Sequence, residues 1–459
     1  MIMFTPLKSQ LIAIKSAEQP DFILRFLLSQ VEKGQLIAGD KLPSVRELSS
    51  LLRINYATVQ KAYRLCKLSG VISSSPGKGT YICQRGIVEA LNTTHDLKTM
   101  NSPLGEHSED LSLQLKQQAI TSIYDYDFHQ IFRYQATLDD PSIRESGIDW
   151  LGKKVIQPTL NRILPCAGIH EGLVALFMLL QKEGAIALPT YFYSGLKSIV
   201  QLLNTPYVTV PCDEEGPLPE ALAALCIQQR ISALYLNPNI NNPTTVTLSI
   251  NRRIALAKVV KRFGLSIIED DAYGALSSQG IATFSQILPT QTWHLNGLSK
   301  SFAPGMRMAW VYCPSEAKTL QLSQILSALK VSDNPLIYQV VNAWVSSGVA
   351  QRTAQETLKA ARARVKLFRR LFVKDQYQIA DDGFHVWFSL GRQNAYEIAF
   401  LLQQAGISAT PSSEFCFEKS SEQFLRISLS GYHSLNALEV ALKTFRDVLN
   451  NIYLKKTQV

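Results

Sequence analysis

Three apolar runs in the middle of this 459-residue chain each end in a cluster of polar side chains. Residues 233–236 lead into the Asn/Pro-rich stretch 237–244, residues 266–268 lead into three carboxylates, and residues 293–298 lead into Ser299 and Lys300. In open α/β sheets, ligands bind beyond the carboxyl ends of the strands. The pattern therefore predicts neighbouring buried strands whose polar ends meet at one ligand site.

Lys300 is the reactive group of this arrangement. Asn296-Gly297 before it and Pro304-Gly305 after it predict a loop that leaves a strand. A partly desolvated amine loses its proton more easily than one in water, and the neutral amine attacks aldehydes. The neighbouring Ser299 and Arg307 offer a hydroxyl and a guanidinium to a phosphate. The alternative is a solvated loop, the usual setting for a lysine between serines.

These motifs together resemble the fold-type I aminotransferases, which bind pyridoxal 5′-phosphate. The resemblance implies that Lys300 forms the Schiff base and that Asp270 pairs with the pyridine nitrogen. It also implies that Tyr273 and Asn242 bind the 3′-oxygen and that Ser299 and Arg307 hold the phosphate. A carboxylate beside the ring nitrogen keeps that nitrogen protonated, which makes the ring an electron sink.

Further cofactor contacts follow from the same resemblance. Residues 162–180 predict a strand, a glycine turn and an apolar helix, and the backbone N–H groups of Ile169 and His170 at the helix start can bind phosphate oxygens. His170 has no companion ligand nearby, so no metal site is predicted. Tyr191 matches the aromatic residue that stacks on the pyridine ring, with Phe192 and Tyr193 as neighbouring alternatives.

Two more residues match family positions. Tyr134 matches a tyrosine that crosses to the other subunit's cofactor phosphate, although a core tyrosine is an equal alternative. Arg426 lies in an alternating strand-like stretch and matches the arginine that grips an amino acid's α-carboxylate. A homodimer and an amino acid or amine ligand are therefore expected.

The bulk composition narrows the class of protein. An apolar fraction of 46% over this length allows a large core and more than one domain. Seven cysteines without a C-x-x-C pair argue against a disulfide framework or a zinc site and favour a reducing cytoplasm. The longest apolar run, 173–180, is too short to span a bilayer, and no secretory signal is recognisable at the N-terminus.

The net charge of +9 is concentrated in the first 85 residues, which carry 12 Lys and Arg against 5 Asp and Glu. A compact basic module is the electrostatic signature of a nucleic-acid reader, with a solvated basic surface as the alternative. Residues 21–33, 43–52 and 55–69 predict three helices, and residues 71–82 predict a strand pair around Pro76-Gly77.

Three helices and a basic hairpin resemble the winged helix-turn-helix of the GntR family, through Gly34, residues 42–48, Thr58-Val59, Gly70 and residues 77–80. The resemblance implies binding to a double-stranded DNA operator by residues that read bases or neutralise phosphates: Arg46, Asn55, Tyr56, Thr58, Gln60, Lys61 and Lys78 of the wing. Asn55 or Tyr56 could instead cap the third helix.

The whole chain resembles the MocR subgroup of GntR regulators. The expected fold class is a winged helix-turn-helix, mostly α with a β wing (1–85), a polar linker (86–123), an α/β fold-type I large domain (124–335), and a long helix with a smaller α+β C-terminal domain (336–459). The hypothesis is a cytoplasmic transcriptional regulator that senses pyridoxal phosphate or an amine or amino acid. An aminotransferase with an appended DNA-binding domain remains the alternative.

Overall fold

The computed structural model describes residues 5–11, 14, 19–32, 35–36, 39–68, 71–75, 79–82, 95–103, 109–138, 140–302, 304–418 and 421–457. The chain forms two compact units, residues 1–95 with 400–408 and residues 96–399 with 409–459.

The N-terminal unit contains the predicted helices and strand pair. Its elements, in chain order, are α1 (Thr5–Leu11), α2 (Gln19–Glu32), β1 (Lys41–Leu42), α3 (Val45–Leu52), α4 (Tyr56–Leu68), β2 (Ile72–Ser75) and β3 (Gly79–Ile82). The three strands form an antiparallel sheet in the order β1-β3-β2. Gly34, Gly70 and Lys78 lie outside the described residues.

Helix α3 begins with a reciprocal cap. Ser44 Oγ accepts from Glu47 N at 3.2 Å, and Glu47 Oε2 accepts from Ser44 N at 2.7 Å. These two bonds satisfy backbone donors that would otherwise have no partner at the helix start. The apolar faces of α3 and α4 supply the small core through Leu48, Leu52, Val59 and Ala62, each buried.

The larger unit is built around a seven-stranded sheet with helices on both faces. Its first elements are β4 (His95–Asp96), α5 (Glu109–Tyr124), α6 (Pro141–Leu151), β5 (Ile163–Cys166), α7 (Ile169–Leu180), β6 (Ala185–Pro189), α8 (Gly195–Leu203), β7 (Tyr207–Val210), β8 (Cys212–Asp213), β9 (Gly216–Pro217), α9 (Pro219–Gln228), β10 (Ile231–Leu236), α10 (Ile250–Phe263), β11 (Ser266–Asp270), α11 (Phe284–Ile287), β12 (Thr292–Gly297) and β13 (Ala309–Tyr312).

The strand order in this sheet is β5-β13-β12-β11-β10-β6-β7. All neighbouring pairs are parallel except those of β13, which runs antiparallel to both β12 and β5. Every residue of β5, β10 and β13 is buried, because helices cover both faces of the sheet. The carboxyl ends of β10, β11 and β12 consequently lie side by side, as the polar run ends predicted.

The remaining elements form the C-terminal part: α12 (Glu316–Leu329), α13 (Pro335–Ser346), α14 (Val349–Leu371), β14 (Tyr377–Gln378), β15 (His385–Ser389), α15 (Ala395–Gln404), β16 (Ile407–Ser408), β17 (Thr410–Pro411), β18 (Phe424–Ser428) and α16 (Leu435–Thr457). An antiparallel sheet in the order β14-β15-β18-β17 carries Arg426 on its third strand.

Two segment predictions differ from the structure. The long helix predicted at the start of the segment 336–459 is two helices, α13 and α14, separated at Gly348, whose φ of 73° interrupts the helical path. The predicted linker 86–123 contains α5 from residue 109 onward. Apolar and polar residues alternate over 111–116, which concealed the helical period, and Trp344 Nε1 donates to Leu115 O at 2.9 Å to fix the helix.

Candidate functional site

A cavity opens at the carboxyl ends of β10, β11 and β12 beside the first turn of α7. Its lining contains most of the residues expected to bind the cofactor: Ile169, His170, Tyr193, Asn237, Asn242, Asp270, Ala272, Tyr273, Gly297, Ser299, Lys300 and Arg307. We call this the sheet-end cavity. The polar groups therefore converge at the strand ends, as the sequence pattern predicted.

Lys300 lies three residues after the end of β12, on the predicted loop. Its Nζ donates to Met100 O at 2.9 Å. Burial, together with the charges of Arg426 and Arg307, lowers the pKa of this amine to about 8, against the opposing charge of Asp270. On the order of a tenth of the amine is therefore neutral at pH 7, far more than for a lysine in water, and the neutral form is the one that attacks an aldehyde.

Asp270 is the last residue of β11 and is only 4% exposed. Tyr235 Oη donates to Asp270 Oδ2 at 2.8 Å, and Asn237 Nδ2 donates to the Asp270 carbonyl at 2.6 Å. Asp270 Oδ1 has no hydrogen-bond partner among the described residues. Burial raises the pKa of Asp270 to about 6, although the bond from Tyr235 lowers it. A buried acceptor without a partner fits a ligand that brings its own N–H donor.

The two acidic neighbours of Asp270 have partners inside the protein. Glu269 accepts from the backbone of Phe284 and Ser285 and lies 2.8 Å from His294 Nδ1. Asp271 is bound by Asn239 and by Lys154, whose Nζ lies 3.2 Å from Asp271 Oδ2. These two carboxylates stabilise the fold, which leaves Asp270 as the carboxylate of the run that lines the cavity.

Tyr273 and Asn242 also line the sheet-end cavity, as the expected 3′-oxygen ligands should. Tyr273 Oη lies 3.4 Å from His385 Nδ1, and Asn242 Oδ1 accepts from Arg426 Nη1 at 3.3 Å. Burial lowers the pKa of His385 to about 3, so this ring is neutral and can accept from the tyrosine. Asn242 N donates to Asn237 Oδ1 at 2.8 Å, which fixes the loop after β10.

A phosphate-sized anion has suitable partners at the start of α7. Gly168, with φ of 84°, precedes the helix, so the first N–H groups of α7 face the cavity region without a competing side-chain cap. A Cβ atom on Gly168 would lie 2.7 Å from Arg307 Nη2, so the guanidinium packs directly over this glycine. Burial and the charge of Arg307 lower the pKa of His170. A dianion fits this cluster of donors.

Tyr191 stays a prediction as the stacking residue, and the structure favours the neighbouring alternative Tyr193. Tyr193 lines the sheet-end cavity, whereas Tyr191 lines a neighbouring cavity and packs edge-on against Trp387, with ring centroids 5.2 Å apart. Both tyrosines follow the same strand, β6, and only the path of the loop decides which ring faces the cavity. Tyr134 is 83% exposed and is not a core tyrosine.

Arg426 is 7% exposed and hydrogen-bonds to neutral oxygens. Its Nη2 donates to Lys98 O at 2.7 Å and to Thr410 Oγ1 at 3.1 Å, while its Nε has no partner among the described residues. Burial lowers the pKa of Arg426 to about 10, at which the guanidinium still carries its charge at neutral pH. A buried cation with an unsatisfied N–H is suited to an incoming carboxylate.

Sequence reasoning missed three residues of this site. Tyr235 lies within β10 and Asn237 directly follows it. Every residue of β10 is buried, so no alternation of buried and exposed positions distinguishes Tyr235. Met100 lies in the segment interpreted as a linker. The available signal for Tyr235 was its hydroxyl, two positions before the polar stretch that begins at Asn237.

The six described residues predicted to bind DNA lie on or beside α3 and α4. Arg46, Asn55, Tyr56, Gln60 and Lys61 are exposed and Thr58 is half-buried. Asn55 Oδ1 accepts from Ala57 N at 2.9 Å, so Asn55 does cap α4, as the alternative interpretation held. Its amide group remains on the exposed surface. Tyr56 is 46% exposed at the first helical position.

Comparisons with known proteins decide the family. The model for aminotransferase class I and II matches residues 99–445. The chain belongs to this family. The model for the gntR family of bacterial regulatory proteins matches residues 21–82, the helices and hairpin of the N-terminal unit.

Relatives extend over nearly the full chain. The HTH-type transcriptional regulator YdeF of Bacillus subtilis is 28% identical over 454 residues, which cover 96% of each chain. The vitamin B6 salvage pathway transcriptional repressor PtsJ of Salmonella typhimurium is 28% identical and covers 89% of this chain and 92% of its own. The α-aminoadipate aminotransferase LysN of Thermus thermophilus superposes with a TM-score of 0.71 at 19% identity, over 84% of this chain and 97% of LysN.

These matches confirm the predicted fold class, an N-terminal GntR helix-turn-helix joined to a fold-type I aminotransferase-like domain. The protein is a transcriptional regulator with an aminotransferase-like domain, and pyridoxal 5′-phosphate is the cofactor of that domain. No helix among the described residues is long and apolar enough to cross a membrane. No cluster of metal-ligating side chains occurs in the part of the chain that the structure describes.

Proposed function

We propose that this protein is a cytoplasmic, homodimeric transcriptional regulator whose operator binding responds to the occupancy of the sheet-end cavity. The cofactor would be held there by Lys300 and Asp270, and an amino acid or amine would be the effector. The observation that carries the proposal is the pairing, in one cavity, of an amine with a lowered pKa and a buried carboxylate whose Oδ1 has no partner.

Each end of the cofactor has partners among the chain's own residues. Asp270 would accept the ring N–H, Tyr273 and Asn242 would bind the 3′-oxygen, and Lys300 would attach covalently to the aldehyde. Ser299, Arg307 and the first N–H groups of α7 at Ile169 and His170 would bind the phosphate, and Tyr193 would cover the ring. When bound, the cofactor supplies an electron sink for the carbon next to an amine nitrogen.

Arg426 would bind the effector's carboxylate. The guanidinium is buried, its Nε has no partner among the described residues, and its other bonds go to neutral oxygens. A carboxylate would add a charge-assisted, bidentate partner. An effector that lacks a carboxylate would bind less tightly, so affinity for amino acids over the matching amines tests this role directly.

DNA binding would be performed by the exposed side chains of α3 and α4. Arg46 and Lys61 would neutralise phosphates, while Asn55, Tyr56, Thr58 and Gln60 would reach the major groove from the start of α4. Lys78 would contact DNA from the wing between β2 and β3. Arg46→Ala is expected to weaken binding to all DNA sequences and to lower the salt slope by about one unit.

An exposed apolar patch supports the homodimer. Large side chains on α5 and on the segment after it are unusually open: Ile120 (69%), Tyr124 (87%), Phe128 (56%), Phe132 (80%) and Tyr134 (83%). Large apolar side chains exposed so close together in sequence are typical of an interaction site. Tyr134 would reach the partner's cofactor phosphate from this patch. Phe132→Asp should convert a dimer to a monomer in analytical ultracentrifugation.

The second candidate function is transamination. The cavity is lined by Lys300 and Asp270, and Arg426 hydrogen-bonds to Asn242, another lining residue. An aminotransferase requires an amine, a carboxylate for the ring and an arginine for the substrate carboxylate, so these residues can support turnover of an amino acid with a keto acid. An aminotransferase with a DNA-binding appendage would turn over at about 1 per second or faster. A regulator would bind the same amino acids without comparable turnover.

The deciding experiment combines absorbance with DNA binding. Purified protein supplied with pyridoxal 5′-phosphate should acquire a visible band that Lys300→Ala lacks, and a panel of amino acids and amines should shift this band. The same ligands should change the affinity for DNA upstream of the protein's own gene, measured by fluorescence anisotropy at several salt concentrations. A colourless wild-type protein, or DNA affinity indifferent to every ligand that shifts the band, would refute the proposal.

A further inference from the structure

Four consecutive backbone carbonyls, at residues 97–100, accept hydrogen bonds from Ser428, Arg426 and Lys300. Leu97 O accepts from Ser428 N and Thr99 O from Ser428 Oγ, each at 2.7 Å. Lys98 O accepts from Arg426 Nη2 at 2.7 Å, and Met100 O accepts from Lys300 Nζ at 2.9 Å. We call residues 97–100 the strap. Two of its carbonyls thus accept from Arg426 and Lys300, which the proposed function assigns to the effector and to the cofactor.

The strap's shape is fixed by one side chain. Asp96 Oδ1 accepts from Lys98 N at 2.9 Å and from Thr99 N at 3.0 Å, which folds the backbone into a tight turn. The turn leaves the carbonyls of residues 97–100 available to β18 and Lys300. The chain also approaches β18 closely, because a Cβ atom on Gly431 would lie 2.6 Å from Asp96 O.

A carbonyl oxygen is a weaker partner for a buried guanidinium than a carboxylate, which carries a full charge and can accept two bonds. Asn242 Oδ1, Lys98 O and Thr410 Oγ1, which accept from Arg426, are all neutral oxygens, and the Arg426 Nε has no partner among the described residues. The strap thus supplies only part of the hydrogen bonding that the Arg426 guanidinium requires. An effector carboxylate would compete with Lys98 O for the same Nη2 group.

We propose that the strap is an autoinhibitory segment, displaced when a carboxylate-bearing effector binds Arg426 beside the occupied Lys300. This inference rests on the proposed function, because it assumes that Arg426 and Lys300 bind the effector and the cofactor. The strap is also the first stretch of chain after residue 95, where the N-terminal unit ends. By linkage, the strap must weaken effector binding to the same degree that the effector weakens the strap.

Two matched probes test displacement by hydrogen exchange. N-(5′-phosphopyridoxyl)-L-leucine carries the cofactor body with a carboxylate, and pyridoxamine 5′-phosphate carries the same body without one. The amide of Ser428, which donates to Leu97 O, and the amides of Lys98 and Thr99 should exchange on the order of tenfold faster with the leucine adduct. Pyridoxamine 5′-phosphate should leave them protected. The amides of β11 serve as the internal control.

Calorimetry on the same samples measures whether each probe binds, which distinguishes failure of the proposed function from failure of the strap inference. If neither probe binds, the proposed function is wrong, and the strap has no ligand to compete with. If both probes bind and the three amides exchange at unchanged or slower rates with the leucine adduct, the proposed function stands and the strap inference is overturned.

A pair of variants tests the competition independently. Asp96→Asn keeps the oxygen that receives Lys98 N and Thr99 N, whereas Asp96→Ala removes it, and both variants lose the carboxylate charge. The alanine variant should bind the leucine adduct about tenfold more tightly than the asparagine variant, since its strap is less well formed. Thermal melting of both variants establishes that each is folded. Equal affinities in two folded variants would contradict the inference.

Discussion

Tyr235 donates a hydrogen bond of 2.8 Å to Asp270 Oδ2, within the core beneath the sheet-end cavity. The bond leaves Oδ1 as the carboxylate oxygen without a partner among the described residues. It fixes the carboxylate plane and stabilises the charged form, against burial that raises the pKa of Asp270 to about 6. The protein thereby maintains an energetically unfavourable charge at the place where the ring nitrogen of the cofactor would lie.

Asp270→Asn should stabilise the cofactor-free protein. The folded pKa of Asp270, about 6, lies above its ordinary value of 3.8, so the folded chain retains a proton that the unfolded chain releases. The free energy of unfolding therefore decreases as the pH rises from about 4 to about 6, and the contribution of this group to it no longer changes at higher pH. The variant should therefore gain about 1–3 kcal/mol at pH 8 and nothing below pH 4 in urea unfolding. Its cofactor affinity should fall at the same time. A uniform gain at every pH would contradict this account.

The rate of covalent cofactor capture should follow the titration of Lys300. The neutral amine is the nucleophile, and its fraction rises as the pH rises through about 8 rather than through the ordinary lysine value of 10.5. Stopped-flow absorbance with pyridoxal 5′-phosphate should show a rate that increases up to about pH 8 and then levels off. A free lysine derivative provides the reference, and a rate that still climbs above pH 9 would show an unperturbed amine.

Gly168→Ala should weaken cofactor binding. The added Cβ would lie 2.7 Å from Arg307 Nη2, and the φ of 84° is unfavourable for alanine. We expect a loss of about 1–2 kcal/mol in stability and about a tenfold loss in affinity for the cofactor. Gly305→Ala, in the loop that leads to Arg307, is the matched control because a Cβ there meets no atom within 4 Å. Equal affinities of the two variants would show that Gly168 does not shape the phosphate-binding site at the start of α7.

Asn55→Asp should separate helix capping from DNA binding. An aspartate preserves the acceptor for Ala57 N, so the melting temperature should stay near that of the wild type. Its charge would repel DNA phosphates and reduce operator affinity on the order of tenfold or more. Asn55→Ala should instead cost about 1 kcal/mol of stability. Unchanged DNA affinity in Asn55→Asp would place this residue away from the nucleic acid.

The sequence predicted which strand ends carry the cavity's polar groups. It did not always predict which side chain at a strand end faces the cavity. Glu269 and Asp270 end β11 and Asp271 follows directly, so Asp270 is expected to point away from its two neighbours. The resemblance selected Asp270, which does line the cavity. Tyr191 and Tyr193 lie beyond the end of β6, and side chains no longer alternate regularly there. The prediction selected Tyr191, which lines the other cavity.

Local sequence determined the elements of this protein, because apolar period, glycine turns and caps act over a few residues. It determined the helices of the N-terminal unit, the strand before Lys300 and the polar strand ends that converge at one edge of the sheet. Only the tertiary structure decided that Tyr235 reaches Asp270, that α5 packs beneath Trp344, and that the carbonyls of residues 97–100 meet Arg426 and Lys300. Those contacts join groups 35 to 328 positions apart, and no local pattern records which distant donors a backbone oxygen will meet.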